Sequence, residues 1–300
     1  MKIDIESVNR LSKAVIPAAG FGNHLFPATK TLKKEMFPII DRDGRAKPVI
    51  MVIVEQVLNA GIEEVALIIQ RSDLELFEDF FHKRLPVEHV NKLSHEDQRY
   101  VQHIIDIGNK VSFIIQESQE GFGHAVHCAR EWVGDSAFML MLGDHLFSSD
   151  TDTPCITQLM DLYERTGRSV VGLQETPKEK IKHFGCASGV WEEGGNFLSI
   201  TEFAEKPTVD YAREHLQVQH VKDGHFLTIF GQYILTPRIF ELLGENIDNS
   251  MREGGEFQLT SCLDRLRKEE GFAGLRMQGR RFDVGMPADY RDTVIDFPNT

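Results

Sequence analysis

Along the first 175 residues, short and nearly uninterrupted apolar runs alternate with longer amphipathic segments, and this alternation constrains the fold more than any other feature. "KAVIPAA" (13–19), "EVALIIQ" (64–70), "VSFIIQ" (111–116), "AFMLML" (137–142) and "SVVGLQ" (169–174) have strand length. They lack the polar alternation of a half-exposed sheet, so each predicts a strand covered on both faces. Between them, "VIMVIVEQVLNAG" (49–61), "DLELFEDFFHKRL" (73–85), "HAVHCAREWVG" (124–134) and "ITQLMDLYERTG" (156–167) predict helices. Three of these close on a glycine, Gly61, Gly134 or Gly167, the residue that most easily takes the left-handed backbone ending a helix. Strand–helix alternation predicts an α/β fold, a mostly parallel mixed sheet with helices on both faces.

The pattern changes after about residue 176. "GCASGVW" and "GNFLSITEFAEKP" predict glycine-bearing strands, and "HFLTIFGQYILTP" a long aromatic-rich one. A helix over "EFQLTSCLDRLRKEEG" (256–271), a strand over "FAGLRMQ" and a last helix near "PADYRDTVIDF" follow. No linker rich in Pro, Gly or Ser separates the two parts. The expectation is one domain over 1–300, in which 176–300 extends the sheet of 1–175 and a sugar-sized pocket lies between the halves.

A chain of 300 residues with 41% hydrophobic content can bury a substantial core. Its net charge of −13 argues against a general nucleic-acid or anionic-membrane surface, both of which need a positive field. A small polyanionic substrate stays compatible, given local lysines and a divalent cation, because the long-range field is screened. Four widely spaced cysteines, Cys128, Cys155, Cys186 and Cys262, argue for reduced thiols and against a zinc site. "MKIDIESVNRLSKAVIP" carries no cleavable-leader pattern, and no run reaches membrane-span length, so a soluble cytoplasmic protein is expected.

The segment most suggestive of chemistry is "AAGFGNHLFPATKTLKKEMFP" (18–38), where glycines follow a strand and lysines follow the glycines. A dinucleotide fingerprint would need a third glycine and an immediate helix, but Leu25 stands there, and Pro27 and Pro38 bracket the segment. A Walker-type G-x-x-x-x-G-K-[ST] is also absent. Two readings remain: a long loop whose amides meet phosphates while lysines fold over them, or a glycine turn with solvated lysines.

"AAGFGNHLFPATKTLKKEMFPI" resembles the opening motif of the sugar-1-phosphate nucleotidylyltransferases, and within them of bacterial members that use UTP and glucose 1-phosphate. The likeness extends in order through "QEGFGHAVHCA", "LMLGDHLF", "FGCASGVW", "EFAEKPTV", "FGQYIL", "GEFQLTSCLDRL" and "RRFDVGMPADY". It implies a Rossmann-like nucleotidyltransferase fold with a nucleotide-binding half (1–175) and a sugar-binding half (176–300), and transfer of UMP from UTP to glucose 1-phosphate, with UDP-glucose and pyrophosphate as products. Two anions must then be brought together, so catalysis is positioning and charge neutralisation.

On this resemblance Lys34 neutralises the α-phosphate and Lys30 assists. Ala19, Gly20, Gly22, Gln116 and Gly121 bind the nucleotide, and a glutamine amide can meet the imide edge of uracil. Gly185, Glu205 and Lys206 hold the sugar phosphate. Asp144 and Asp283 hold Mg2+, a hard cation suited to a carboxylate pair that also takes phosphate oxygens. Without the resemblance, Asp144 reads as a turn or cap residue, Gln116 as a strand-end polar group and Gly185 as a bulge. Lys33 reads as a solvated surface charge, and His124, His127 and His145 as structural.

The chain departs from the family at Asn23-His24, where the pattern has Thr-Arg. Imidazole does not replace a planar bidentate fork. Either a shorter imidazolium partly substitutes beside a triphosphate, making His24 a catalytic residue, or the protein is a weakened or non-catalytic nucleotide-sugar binder. A sibling enzyme with another base or sugar is a further alternative. The resemblance also implies a homo-oligomer.

Overall fold

A computed structural model describes residues 11–192, 195 and 197–300 of the chain. Residues 1–10, on which the absence of a leader was partly read, and Asn196 in "GNFLSITEFAEKP" lie outside the described residues.

The strands are, in chain order, β1 (Lys13–Pro17), β2 (Pro38–Ile40), β3 (Ala46–Pro48), β4 (Glu64–Ile69) and β5 (Val111–Ile115). Next come β6 (Phe138–Met141), β7 (His145–Ser149), β8 (Ser169–Pro177) and β9 (Gly185–Trp191). The last are β10 (Leu198–Glu205), β11 (His225–Leu235), β12 (Phe272–Arg276) and β13 (Gly279–Asp283). Nine of them form one sheet in the order β5-β4-β1-β6-β11-β8-β12-β10-β9. The sheet is mixed, as expected. Its parallel pairs are β5–β4, β4–β1, β1–β6 and β12–β8, while β11 runs antiparallel to β6 and β8, and β10 to β12 and β9. β8 lies beyond β11, so strands of the two halves interleave instead of standing side by side.

The apolar runs are strands because both faces are covered. Val15, Ile16, Val65, Leu67, Phe138 and Leu140 are fully buried, and each such side chain contributes roughly 1.5–3 kcal/mol. On one face the helix Val49–Asn59 buries Val49 to Val54 and Val57. On the other, Phe138 stacks on Phe240 of the helix Arg238–Asp248 at 4.9 Å between ring centres. Gly61, Gly134 and Gly167 all carry positive φ just past helix ends.

Several boundaries differ from expectation. The helix read over 124–134 is two, Phe122–His127 and Arg130–Val133. The helix read over 256–271 begins at Thr260, because Phe257 is tied by backbone hydrogen bonds to Glu120 and Gly123 and cannot coil. A helix over His95–Gly108 was not anticipated, since its sequence is mostly polar.

Two features create the site. β1 and β6 are parallel neighbours, so the loops after Pro17 and Met141 leave the sheet at the same edge, where crevices of open α/β sheets form. They pass so closely that a side chain at Gly143 would meet the Pro17 carbonyl oxygen at 2.7 Å. Separately, β7 and β13 form an antiparallel ribbon that sets His145 opposite Asp283 and Phe147 opposite Arg281.

Candidate active site

The loop after β1 is neither extended nor a helix. It folds into short 3₁₀ turns at Asn23–Leu25, Ala28–Lys30 and Lys34–Met36, entered through Gly22 at φ 74°. Thr29 closes the first bend by donating to the Gly22 carbonyl at 3.1 Å. Lys33 donates to the Gly20 carbonyl at 2.7 Å and pairs with Asp73 at 3.0 Å. Lys33 is therefore buried and structural, contrary to its reading as a solvated charge: it is a clamp that fixes the glycine turn over the loop behind it.

Below this loop lies a cleft of about 530 Å³, whose wall includes Ala19, Gly20, Lys34, Gln116, Gly121 and Asp144. Gln116 is buried, donating to the Gly121 carbonyl at 3.3 Å and standing 3.0 Å from His124 Nδ1. Gly121 has φ 110°, and any Cβ there would lie 2.8 Å from the Phe257 carbonyl oxygen, so only glycine brings this backbone to the cleft. The Ala19 carbonyl accepts from Gln119 at 2.6 Å and from Gln70. Gln119 and Glu256 also line the cleft and were not singled out in the sequence.

The floor is a knot of charge. Lys34 Nζ is hydrogen-bonded to Asp144 Oδ2, and Glu35 Oε1 lies 3.9 Å from the same nitrogen. His145 Nδ1 is 2.7 Å from Asp144 Oδ1, and its Nε2 is 3.6 Å from Asp283 Oδ2. Ligand-capable atoms of Asp144, His145 and Asp283 all lie within 4.8 Å of one another. His145 thus belongs with the two aspartates, contrary to its reading as merely structural. Gly285 N–H donates to Asp283 Oδ1 at 2.6 Å. A Cβ at Gly285 would meet Asp283 Oδ1 at 3.0 Å and Asp144 Oδ2 at 3.4 Å, so glycine keeps the space between the carboxylates open.

Burial alone would pull the Lys34 pKa down, but Asp144, Glu35 and Asp283 reverse this and hold it above the ordinary lysine value. Burial would raise Asp144, and Lys34 and His145 instead hold its carboxyl well below the usual range. Glu35 goes the other way: burial lifts it to about 7 against the pull of Lys34 and Lys33, and its Oε2 is buried without a hydrogen-bond partner. One carboxyl group is locked ionised and its neighbour titrates near neutrality.

The residues assigned to the sugar form a second group outside this cleft wall. Gly185 pairs in register with Glu205 across β9 and β10, and Glu205 Oε2 accepts from Thr260 at 2.7 Å. Lys206 is exposed, with φ 44° and Nζ 3.5 Å from Glu205 Oε1. His24 and Lys30 are exposed, and their side chains make no hydrogen bond or ion pair with a described residue. Asn23 lines the cleft; His24 does not. Arg281 lies between the two groups, donating to the Ile229 carbonyl at 2.8 Å and stacking on Phe184 at 4.3 Å. Burial lowers its pKa although Asp283 and Tyr233 oppose this. The adjacent arginines of "RRFD" were a signal for it, since a strand turns one of the two inward.

The donor set tests whether a divalent cation fits. Two carboxylates converge, a glycine keeps the gap between them open, and an imidazole orients one of them, which suits a hard oxygen-seeking ion with a second-shell histidine.

The family model described as nucleotidyl transferase matches residues 13–298. The UTP–glucose-1-phosphate uridylyltransferase of Staphylococcus epidermidis is 35% identical over 292 residues, covering 97% of this chain and 93% of that protein. The crystal structure of an apo UDP-glucose pyrophosphorylase superposes with a TM-score of 0.81 at 29% identity, over 97% of this chain and 99% of that one. A UDP-glucose pyrophosphorylase complexed with UDP-glucose gives 0.76 at 29% identity, with the same coverage.

Proposed function

The chain belongs to the nucleotidyl transferase family, and from that premise we propose how it transfers UMP from UTP to glucose 1-phosphate, giving UDP-glucose and pyrophosphate. The observation that carries the reading is the convergence of Lys34, Asp144 and Asp283 at the floor of the cleft that Gln116 and Gly121 also line.

A phosphate oxygen of the sugar attacks the α-phosphorus in line, and the bond to the bridging oxygen of the departing pyrophosphate breaks. Gln116 and the Gly121 backbone orient the base. Gly20 and Gly22 let the loop backbone approach the phosphates. Lys34 is the fixed positive charge: its raised pKa keeps it cationic throughout the physiological range, so charge gathering at the α-phosphoryl group meets a partner that needs no reorganisation. Glu205 accepts from the sugar hydroxyls, and Gly185 leaves room beside them. Lys206, exposed at the end of β10, is free to swing onto the sugar phosphate. Asp144 and Asp283 would hold Mg2+, which when bound supplies positive charge to phosphate oxygens. His145 holds Asp144 in orientation.

Residues 1–175 handle the nucleotide and 176–300 the sugar, with two crossings: Glu256 reaches the nucleotide cleft, and Asp283 the metal position. We place the protein in the cytoplasm as a homo-oligomer. Among the described residues no helix is long and apolar enough to cross a membrane, and all four cysteines are free.

The test is a matrix of nucleoside triphosphates against sugar 1-phosphates with Mg2+, scored by pyrophosphate release. The expected maximum is UTP with glucose 1-phosphate. A maximum elsewhere makes this a sibling enzyme. A blank matrix with saturable UDP-glucose binding makes it a non-catalytic binder, the reading that the exposed and unpartnered His24 favours.

A further inference from the structure

Between the metal position and the sugar group stands a cation with no assigned task. Arg281 precedes Asp283 by two residues on β13, so the two side chains leave the same face of the ribbon, about 7 Å apart along the strand. Its supports adjoin the sugar side. Nη1 donates to the Ile229 carbonyl at 2.8 Å, and Cζ lies 4.3 Å from the centre of the Phe184 ring. Phe184 directly precedes Gly185, and a Cβ on Gly185 would meet Ile229 Cδ1 at 2.7 Å, so both supports flank the glycine that leaves room for the sugar. Tyr233, buried in β11, lies within electrostatic range of both Glu205 and Arg281.

What sets Arg281 apart is that it is mostly buried and has no counter-ion. Its neighbour Arg280, on the outer face, lies 3.9 Å from Asp296. Arg281 makes no ion pair with any described residue, although Asp283 and Asp144 are near enough to be felt. The carbonyl and the ring occupy one nitrogen and one face of the guanidinium. Nε and Nη2 have no hydrogen-bond partner among the described residues, and both keep accessible surface. An arginine is seldom buried unpaired, and an apolar chain stacked on Phe184 would carry no such penalty. The free edge is a planar pair of donors, a shape that meets two oxygens of a phosphate. Arg281 also lines, with Phe184 and Asp283, a cavity of about 350 Å³, so this edge borders space beside the metal position.

Resting on the function proposed above, we infer that Arg281 is a substrate-binding residue whose Nε–Nη2 edge grips two oxygens of the phosphate on the sugar 1-phosphate. That phosphate is an anion that must come up beside Asp144 and Asp283, carboxylates that repel it. A fixed guanidinium on the same face as Asp283 offsets the repulsion. Lys206 works differently: it is exposed, touches only Glu205 and must be ordered by its ligand. Arg281 is held in plane by Phe184 and the Ile229 carbonyl before the phosphate arrives, so its grip loses less side-chain freedom.

The test compares wild type, Arg281→Met and Arg281→Lys, each checked by circular dichroism. Rates come from pyrophosphate release, and affinities from calorimetric titration with UDP-glucose and with UMP, which lacks the glucose-bearing phosphate. Arg281→Met should raise the KM for glucose 1-phosphate and the Kd for UDP-glucose about 10- to 100-fold, the worth of a charge-assisted fork. The KM for UTP and the Kd for UMP should stay within about twofold of wild type, which a merely structural arginine would not allow. Arg281→Lys decides if Arg281→Met does not fold: lysine keeps the charge and loses the fork, so the first two constants should rise at least about fivefold. Unchanged constants in the deciding variant overturn the inference and leave the proposed function standing. Equal weakening of UMP also overturns it, making Arg281 a prop for the whole cleft. If nothing is turned over, UDP-glucose binding that depends on Arg281 keeps the inference and ends the catalytic reading. Absence of UDP-glucose binding ends both.

Discussion

Lys34 and His24 are cations of one loop, yet the chain treats them oppositely. Lys34 points into a floor where Asp144, Glu35, His145 and Asp283 crowd it, and every group there has its position fixed by another. His24 stands on a lip with Phe21 and Phe26, which are 50% and 61% exposed, and its ring makes no hydrogen bond, ion pair or ring contact with a described residue. Lys33 joins the regions, anchoring the Gly20 carbonyl from beneath. The difference teaches where preorganisation lies. Charges on the floor act in a water-poor setting at nearly full strength, whereas a charge on the lip is screened and must be ordered by its ligand.

The largest expected effect comes from breaking the floor. Asp144→Asn and Asp283→Asn should each lower turnover by about 10³-fold or more, and EDTA should abolish activity that Mg2+ restores. Pyrophosphate release with UTP and glucose 1-phosphate measures both; a variant retaining full rate removes its residue from the metal position.

Next is Glu35. Its folded pKa of about 7 lies above the 4.5 of an ordinary glutamate, so the folded state binds the extra proton. Its contribution to stability is complete below pH 4.5 and is lost as pH rises to 7, a decline of about 3 kcal/mol. Glu35→Gln should remove that decline in urea unfolding measured across pH, leaving the variant more stable than wild type above pH 7. Parallel curves would mean that Glu35 is solvated after all. Asp144 contributes with the opposite sign: its stabilisation is present above its ordinary pKa of 3.8 and lost in more acid solution.

Lys33→Met tests the junction. Loss of its two contacts loosens the glycine turn, and kcat/KM should fall about tenfold, a loss of roughly 1.4 kcal/mol, mainly through KM for UTP. An equal fall in kcat would place Lys33 on the floor instead. Smallest is His24→Arg. An exposed ion pair is worth up to about 1 kcal/mol, so the uridylyltransferase rate should rise by no more than about fivefold. A much larger rise would show that the lip closes onto the triphosphate and that the contrast drawn here belongs only to the open form. An unchanged or lower rate would end the account of His24 as a deficient clamp.

Strands buried on both faces were legible because burial writes itself as an unbroken apolar run, as in β1, β4 and β6. Glycine-stopped helices were legible because only glycine relaxes at the left-handed turn. The helix His95–Gly108 was missed because it lies half-exposed and its apolar stripe is reduced to Tyr100, Ile104 and Ile107. Lys33, His145 and Arg281 were missed or misread because a lone polar residue carries no periodicity, and its partner lies far away in the chain.

The sequence by itself determined the family, the sheet-and-helix layering and the types of chemical group available, since each depends on local composition or on ordered motifs. The tertiary structure alone decided which of these groups share one floor. It pairs β7 with β13 across more than a hundred residues of chain and threads β11 between β6 and β8. The physical reason is range: propensity and patterning act over a few neighbours, whereas the pKa of Lys34, Asp144 or Glu35 is set by whatever charge the finished fold brings within a few ångströms.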